Sequence, residues 1–247
     1  MQISFFEEFP EKRNLDKIKL IDFKTKLYLG CKSLKEFNNI KSSIKNKNVK
    51  VVVYWPILEM NEGYWFSPFS KRKALIRIFN ELRGKKVPVM IDLELPFTRN
   101  KMLFITQAFN FFRNRKLIRE FIENYENIYL CEYFPKGKLK DFIMKFLGLH
   151  FDVNNIKIIK MFYSSMHHFN DLEEELKREN EKYGNKFIAG FGAIAAGIFG
   201  DEPKLSCEQL ENDLETAEKA GIKEVIIFRL GGLDKKYARI LQKYSKG

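Results

Sequence analysis

The stretch VPVMIDLELP, residues Val87 to Pro96, has the pattern of a buried strand that ends by presenting two acids. Successive side chains of a strand point to opposite faces, so Asp92 and Glu94 share one face and apolar side chains occupy the other. In a barrel of parallel strands one face meets the surrounding helices and the other meets the lumen. Acids near the carboxyl end of such a strand would therefore lie at the mouth of the barrel.

Eight apolar, often β-branched runs occur along the chain, and an amphipathic or charged segment follows each one. This alternation is typical of parallel strands joined by crossover helices. The runs are Gln2–Phe6, Leu27–Cys31, Val49–Trp55, Val87–Leu95, Ile128–Tyr133, Ile156–Tyr163, Phe187–Phe191 and Glu224–Leu230. The 247 residues also match the length of roughly 250 that is typical of a (β/α)8 TIM barrel. We predict a single barrel domain over residues 1–247. An open doubly wound sheet usually has a glycine-rich turn after its first strand, where this chain has EEFP.

Composition narrows the class of protein. The net charge is +12, but the lysines are scattered over all the helical segments and interleaved with acids, a pattern that does not favour a nucleic-acid partner. No apolar run approaches the ~18 residues that span a bilayer, and the first ten residues have no secretory leader. The three cysteines lie far apart, which suits neither a disulfide framework nor a zinc ribbon. We expect a cytoplasmic protein without a membrane partner.

Two long loops are expected on the functional face. Pro56–Pro68 follows the third run, and Gly192–Leu205 follows the seventh. In this architecture the loops after the strands form the active site. Tyr54 lies at the end of the third run, and Tyr64 and Trp65 lie in its loop. Because flat aromatic faces stack on sugar rings and their polar tips bind hydroxyls, these side chains favour a sugar as ligand.

Acids at strand ends supply the candidate chemistry. Glu94 and Glu132 end neighbouring strands, so we expect them to face one cavity. Two carboxyls about 5–10 Å apart are the equipment for glycoside hydrolysis. Asp92 and Glu7 are the expected supporting residues, although Glu8 could take the lumen position instead of Glu7. The competing interpretation is that these acids form ion pairs with cations such as Lys160 and Arg229.

An internal similarity relates two of these acids. Ile3–Pro10 has the sequence ISFFEEFP and Ile128–Pro135 has IYLCEYFP, so Ile, Glu, Phe and Pro coincide. The two segments belong to strands one and five, on opposite sides of the barrel, as a half-barrel duplication would place them. The alignment makes Glu7 and Glu132 equivalent positions.

A second interpretation starts from the last two strands. Gly231 and Gly232 follow Arg229 after strand eight, where glycine N–H groups and a helix N-terminus often hold a phosphate. Lys160 on strand six would then be a candidate Schiff-base lysine. This interpretation predicts an aldolase, isomerase or lyase that acts on a phosphorylated metabolite. A third alternative is a barrel without chemistry that serves as a binding scaffold.

The sequence contains few of the motifs and residues that bind cofactors or metal ions. No dinucleotide, Walker, HExxH or GxSxG motif occurs. The three histidines are His150, His167 and His168, and a site for one divalent ion could use Glu94, Glu132 and His168. We expect no cofactor and no metal. The sequence thus predicts a carbohydrate-active, glycosidase-like TIM barrel that binds a sugar or sugar-phosphate.

Overall fold

The computed structural model confirms the predicted architecture. Eight parallel strands pair in sequence order and close into a barrel, with helices between them, which is the (β/α)8 TIM barrel. The structure describes residues 1–96, 102–133, 137–153 and 156–245.

The strands agree with the eight apolar runs, with differences of a few residues at their ends. They are β1 Gln2–Glu7, β2 Thr25–Cys31, β3 Val49–Pro56, β4 Val89–Leu93, β5 Ile128–Tyr133, β6 Lys157–Met161, β7 Phe187–Gly192 and β8 Glu224–Phe228. The α-helices are α1 Lys12–Leu15, α2 Leu34–Ser43, α3 Arg72–Leu82, α4 Met102–Thr106, α5 Phe111–Asn124, α6 Lys138–Phe146, α7 Leu172–Tyr183, α8 Cys207–Lys219 and α9 Lys235–Tyr244.

Two apolar layers hold the barrel together. Outward side chains of the strands pack against the helices in the larger layer, which includes Phe5, Ile91 and Leu130. Inward side chains fill the lumen in the smaller layer, which includes Phe6 and Met90. Because both faces of each strand are buried, the strands are apolar on both faces, as parallel sheets usually are.

Closure depends on β1 and β8, which pair from Gln2 opposite Glu224 to Phe6 opposite Phe228. At the amino-terminal end of the lumen, Glu224 accepts hydrogen bonds from Ser4 at 3.0 Å and from Lys26 at 2.7 Å. This buried ion pair fills the amino-terminal end of the lumen.

After β4 the chain forms α4, a short 3₁₀ turn at Ala108–Asn110 and then α5. A capping box begins α8: Gln209 N donates to Ser206 Oγ at 3.1 Å, and Ser206 N donates to Gln209 Oε1 at 2.8 Å. Among the described residues no helix is long and apolar enough to cross a lipid bilayer.

Candidate active site

A cavity of about 230 Å³ opens at the carboxyl ends of the strands. Its acidic wall comes from three parts of the chain: the end of β1, the end of β4 and the loop after β7. The acids are Glu8, Asp92, Glu94 and Glu202. Among the described residues that line the cavity there is no lysine or arginine, and His167 at the rim is the single histidine. The cavity therefore has a strongly acidic character.

Asp92 and Glu94 lie together at the end of β4, as the alternation predicts. Asp92 is 3% exposed, and its Oδ1 atom has no hydrogen-bond partner in the described chain. Burial raises the pKa of Asp92 well above its usual value, and the charges of Glu94 and Glu8 raise it further. Hydrogen bonding to Cys131 opposes this shift, while hydrogen bonding to Glu94 adds to it. Asp92 therefore keeps its proton at pH values where an ordinary aspartate is ionised.

Glu8, after β1, forms a second part of the acidic wall. Its Oε1 atom accepts a 2.7 Å hydrogen bond from the phenol of Tyr64, and its buried Oε2 atom is without a partner in the part of the chain that the structure describes. Burial raises the pKa of Glu8 to about 7, against the lowering effect of Tyr64 and Arg229. The carboxylates of Glu202 and Glu94 contribute to the increase. Glu8 is thus poised to exchange a proton near neutral pH.

The lack of a side chain at Gly197 leaves room for the carboxyl groups of Glu8 and Glu202 to lie close together. A Cβ atom at Gly197 would lie 2.8 Å from Oε2 of Glu8 and 2.9 Å from Oε1 of Glu202. Two oxygen atoms that both lie within 2.9 Å of one point are no more than about 6 Å apart. Any larger residue at this position would push one of these carboxylates away.

The loop after β3 is fastened to the end of β4. Phe66 N donates to the carbonyl of Asp92 at 2.9 Å, and Glu94 N donates to the carbonyl of Phe66 at 3.2 Å. Tyr64 has a φ of 66°, in the left-handed region that residues other than glycine rarely adopt. Such strain persists where surrounding contacts hold it, often at functional sites. Here the strained residue is the one that hydrogen-bonds Glu8.

Aromatic side chains form the rest of the wall. They come from β1, β3, the loop after β3, the ends of β6 and β8, and the loop after β7, and they are Phe6, Trp55, Trp65, Tyr163, Phe199 and Phe228. Trp55 is 3% exposed, and its indole N–H has no acceptor among the described residues. Phe199 is 55% exposed at the rim. The cavity thus offers flat apolar faces, an indole N–H and carboxyl oxygens to a ligand.

The structure places Glu7 on the outer face of the barrel, so Glu8 takes the lumen position. Glu7 accepts from Arg229 Nη1 at 2.8 Å and from the backbone N–H of Gly231 at 2.6 Å. Phe9 N and Asn14 Nδ2 donate to it as well, at 2.9 and 3.3 Å. Burial raises the pKa of Glu7 and Arg229 opposes the increase. Glu7 ties β1 to the turn after β8 and does not line the mouth cavity.

Glu132 also points outward, so the expectation that it shares a cavity with Glu94 is wrong. Its Oε2 atom is 2.7 Å from Lys160 Nζ and 2.6 Å from His150 Nδ1. Burial acts to raise the pKa of Glu132, but Lys160 and His150 outweigh it and the pKa lies below its usual value. Lys160 is 2% exposed in the same outer layer. The competing ion-pair interpretation describes this acid correctly.

The remaining predicted residues divide between the mouth and the outer layer. Trp65 lines the cavity and Tyr64 supports Glu8. Tyr54 faces outward, where its ring lies 5.1 Å from that of Phe37. The Gly232 N–H donates to the Arg229 carbonyl at 3.1 Å, just as the Gly231 N–H donates to Glu7. The two glycine N–H groups proposed to hold a phosphate are therefore already occupied.

Glu202, Tyr163 and His167 line the cavity but were not among the predicted site residues. Glu202 stands in the Gly192–Leu205 loop, which was expected on the functional face, so an acid in that loop was the available indication. Tyr163 and His167 follow β6, where no turn or loop pattern distinguished them. Among the described residues no group of three or more His, Cys, Asp and Glu side chains is arranged to hold a metal ion. His168 is exposed, and Glu132 faces away from Glu94, so that divalent-ion site is not assembled.

Comparisons with known proteins support the fold. No protein-family model and no curated protein sequence matches the chain. Solved structures do match, among them a D-allulose 3-epimerase from Methylomonas sp., with a TM-score of 0.53 and 9% identity over 99% of this chain and 98% of that one. The PgaB glycoside hydrolase domain from Bordetella bronchiseptica matches with a TM-score of 0.53 and 10% identity, over 98% of this chain and 97% of that one. A class V chitinase from Nicotiana tobaccum matches with a TM-score of 0.51 and 10% identity, over 97% of this chain and 98% of that one. The chain is thus a TIM barrel with distant structural similarity to carbohydrate-active barrels.

Proposed function

We propose that this chain is an enzyme that acts on a sugar at the barrel mouth and that its reaction is glycoside hydrolysis. One observation carries the proposal: buried carboxyl oxygens of Asp92, Glu8 and Glu202 without a partner in the described chain surround an aromatic-walled cavity. Burying a polar group without a partner is unfavourable, so such groups are usually retained for binding or proton transfer.

Glycoside hydrolysis requires one protonated carboxyl and one carboxylate on either side of the scissile bond. The β4 pair supplies the proton, because burial and mutual repulsion keep a proton on Asp92 beside Glu94. A side-chain hydrogen bond joins Asp92 to Glu94, so the pair shares this proton. Because Glu94 is 7% exposed and Asp92 is 3% exposed, we assign the donor role to Glu94, and Asp92 supports it by passing the proton to it. Glu8 takes the role of second carboxylate that was predicted for Glu132.

In this mechanism Glu94 donates its proton to the leaving-group oxygen as the glycosidic C–O bond breaks. A water molecule then adds to the anomeric carbon and gives its proton to the carboxylate of Glu8. The acidic cavity stabilises the positive charge that develops on the sugar ring in the transition state. Because the pKa of Glu8 is about 7, its base form predominates above neutral pH.

The aromatic wall would bind the sugar. Trp55 and Trp65 offer flat faces to the C–H side of a sugar ring, and the unpaired indole N–H of Trp55 can donate to a hydroxyl. The cavity volume of about 230 Å³ is below the 300–1,000 Å³ typical of sites for drug-sized ligands. A single sugar ring is therefore the expected occupant.

A panel of chromogenic aryl glycosides tests this function. We expect turnover of at least one member, and a loss of about 10²–10⁴-fold in kcat for Glu94→Gln and for Glu8→Gln. Glu123→Gln is the matched control, because Glu123 pairs with Arg119 on the surface of α5. A Glu94→Gln enzyme with unchanged kcat and pH profile would remove the assignment. Absence of turnover for every glycoside of the panel would instead favour the non-catalytic binding barrel.

Sugar epimerisation is the second candidate, favoured by acids on two walls of one cavity. Glu8 and the β4 pair could remove a proton from one face of a sugar carbon and return one to the other. Incorporation of deuterium from deuterium oxide into an unphosphorylated ketose would identify this reaction. The phosphorylated-substrate version gains no support, since Gly231, Gly232 and Arg229 already have partners.

A further inference from the structure

We propose that the chain docks on a lipid surface of negative charge through an apolar patch on the outside of the barrel. The patch lies on α5, on the short turn before it and on α6, and we call it the helix patch. Its exposed apolar side chains are Phe109, Phe112, Leu139, Phe142, Ile143 and Phe146. None of them lines the mouth cavity. Lipid docking is therefore independent of the proposed sugar chemistry.

The helix patch concentrates exposed apolar surface. Phe109 is 92% exposed and Leu139 is 73% exposed, and the other three phenylalanines of the patch are more than half exposed. Single exposed apolar side chains are ordinary, whereas several on adjoining helices mark an interaction surface. Outside the patch and α4, the large exposed apolar side chains of the described chain come from five separate segments: Met60, Ile76, Leu95, Met166 and Phe199.

The helix α6 turns its apolar side to solvent. Its four patch residues recur at intervals of three and four, so they lie on one side of the helix. In a helix that covers a barrel, such a stripe normally faces the core. Here Asp141 and Met144, on the opposite side of α6, are less exposed than the stripe. The stripe is therefore available to a partner outside the barrel.

Contacts between the two helices make the patch continuous. The ring centroid of Phe111, which is buried, lies 5.2 Å from that of Phe112 on α5 and 6.0 Å from that of Phe146 on α6. Arg115 Nη2 donates a hydrogen bond to the carbonyl of Lys145 at 3.1 Å. The exposed side chains of α5 and α6 thus belong to one surface with a buried aromatic ring beneath it.

Positive charges lie beside the helix patch. Arg113 and Lys116 are exposed on α5, one helical turn after the two exposed phenylalanines of that segment. Lys140 is exposed on α6, next to the apolar stripe. Glu120 lies 3.7 Å from Lys116, and an exposed ion pair of this kind contributes little. The surface therefore combines exposed aromatic side chains with basic residues, as surfaces that bind the membrane interface do.

The charges favour lipid over a second copy of the chain. Two copies that met through the same patch would bring Arg113, Lys116 and Lys140 close to their own equivalents, and like charges oppose such contact. An anionic headgroup layer attracts these cations, while the acyl boundary accepts the apolar side chains. The net charge of +12 acts in the same direction. The expectation of no membrane partner relied on the lack of a spanning run, which surface docking does not require.

Cosedimentation of the full chain with vesicles tests the proposal. Vesicles of phosphatidylcholine with about 30% phosphatidylglycerol are compared with pure phosphatidylcholine vesicles. We expect binding to the anionic vesicles to be at least about tenfold tighter. Phe112→Ser with Phe142→Ser should weaken it about tenfold or more, since both side chains leave the acyl boundary. Met60→Ser removes an exposed apolar side chain outside the patch and should bind as the parent does.

The basic residues have their own test. Arg113→Gln, Lys116→Gln and Lys140→Gln in one variant should weaken binding to the anionic vesicles about tenfold or more. The control variant removes the same charge from three exposed lysines at and before the start of β3, with Lys45→Gln, Lys47→Gln and Lys50→Gln. It should change the affinity by less than about threefold, because charges far from the docked surface are screened. All the replaced side chains are exposed, so the circular dichroism of each variant should match that of the parent.

The results decide between lipid and the other partners. No binding to either kind of vesicle, or equal binding to both, overturns the proposal. Unchanged binding by the phenylalanine variant also overturns it, because the apolar side chains are then not inserted. A parent chain that ignores vesicles and sediments as a dimer, while the phenylalanine variant sediments as a monomer, assigns the patch to a second copy and overturns lipid docking.

Discussion

The phenol of Tyr64 donates a hydrogen bond to Oε1 of Glu8, with the two oxygen atoms 2.7 Å apart. This bond joins the loop after β3 to the acidic end of β1 and holds the Glu8 carboxyl at the cavity wall. It stabilises the ionised form of Glu8, against burial that favours the neutral form.

Tyr64→Phe should raise the pKa of Glu8 further. A hydrogen bond to a charged group contributes about 1.5 kcal/mol or more, so an upward shift of roughly one unit is expected. The measurement is the NMR titration of the Glu8 side-chain carboxyl, with the acidic limb of the pH–rate profile as a second readout. Tyr125→Phe removes a comparable bond to the Val87 carbonyl in the outer layer and should leave the titration unchanged. A downward shift for Tyr64→Phe would contradict the expectation.

Glu8→Gln should make the protein more stable at high pH. The folded pKa of Glu8, about 7, lies above the ordinary 4.5, so the folded state binds more protons between these values and its stability falls as pH rises through them. The substitution removes this penalty and should add roughly 2–3 kcal/mol to the free energy of unfolding at pH 8. Guanidinium unfolding at pH 4 and pH 8 checks it. If the free energies of unfolding of the variant and the parent differ by the same amount at pH 4 and pH 8, Glu8 is not the titrating group.

Glu132→Gln should have the opposite effect. Its pKa is depressed, so its contribution is present above the ordinary 4.5 and is lost as pH falls through the folded value. Removing the charge leaves Lys160 buried beside His150 without its anion. We expect a loss of about 3–5 kcal/mol at pH 7 that shrinks towards acidic pH, measured by the same unfolding experiment. If Glu132→Gln leaves the free energy of unfolding unchanged, solvent must compensate the charge of Lys160.

Gly197→Ala should impair the mouth without unfolding the barrel. The new Cβ would lie within 2.9 Å of Glu8 Oε2, Phe228 Cζ and Glu202 Oε1, which are the ends of side chains and can move. Displacing two carboxylates should weaken sugar binding by about tenfold or more, or about 1.4 kcal/mol. Lys204→Gln, at an exposed position of the same loop outside the cavity lining, should bind normally. Unchanged binding by Gly197→Ala would show that the two carboxylates do not act together.

Lys160 should not form a Schiff base. Its Nζ atom is 2.7 Å from Glu132, in the outer layer of the barrel, and a protonated, ion-paired lysine is a poor nucleophile. Borohydride treatment in the presence of keto-sugars and keto-sugar phosphates should leave residue 160 without an adduct in peptide mass spectra. A reduced adduct at Lys160 would restore the aldolase interpretation.

The fold was predictable because eight apolar runs and their spacing determine it, and each run became a strand. The position of Asp92 and Glu94 was predictable for the same reason, since the run Val87–Leu95 alternates clearly. At β1 the sequence FFEE places the same residue types on both faces, so alternation cannot distinguish Glu7 from Glu8. The orientation of β5 is ambiguous as well, because Leu130 and Cys131 are both apolar and buried. The cations that neutralise Glu7 and Glu132 come from the turn after β8 and from β6, a tertiary pairing that local pattern does not reveal.

The four hydrogen bonds to Glu7 have a consequence for its neighbour. Adjacent residues of a strand face opposite sides, so whatever immobilises Glu7 also fixes the Cα position from which Glu8 projects. The β1 wall of the cavity is therefore preorganised, and a ligand loses little binding free energy in ordering it. The loop that carries Glu202 has no comparable anchor on its acid, which accepts one hydrogen bond from Phe199 in the described chain. Divergence in substrate choice among descendants of this barrel would therefore concentrate in the loop after β7, while the β1 wall stays constant.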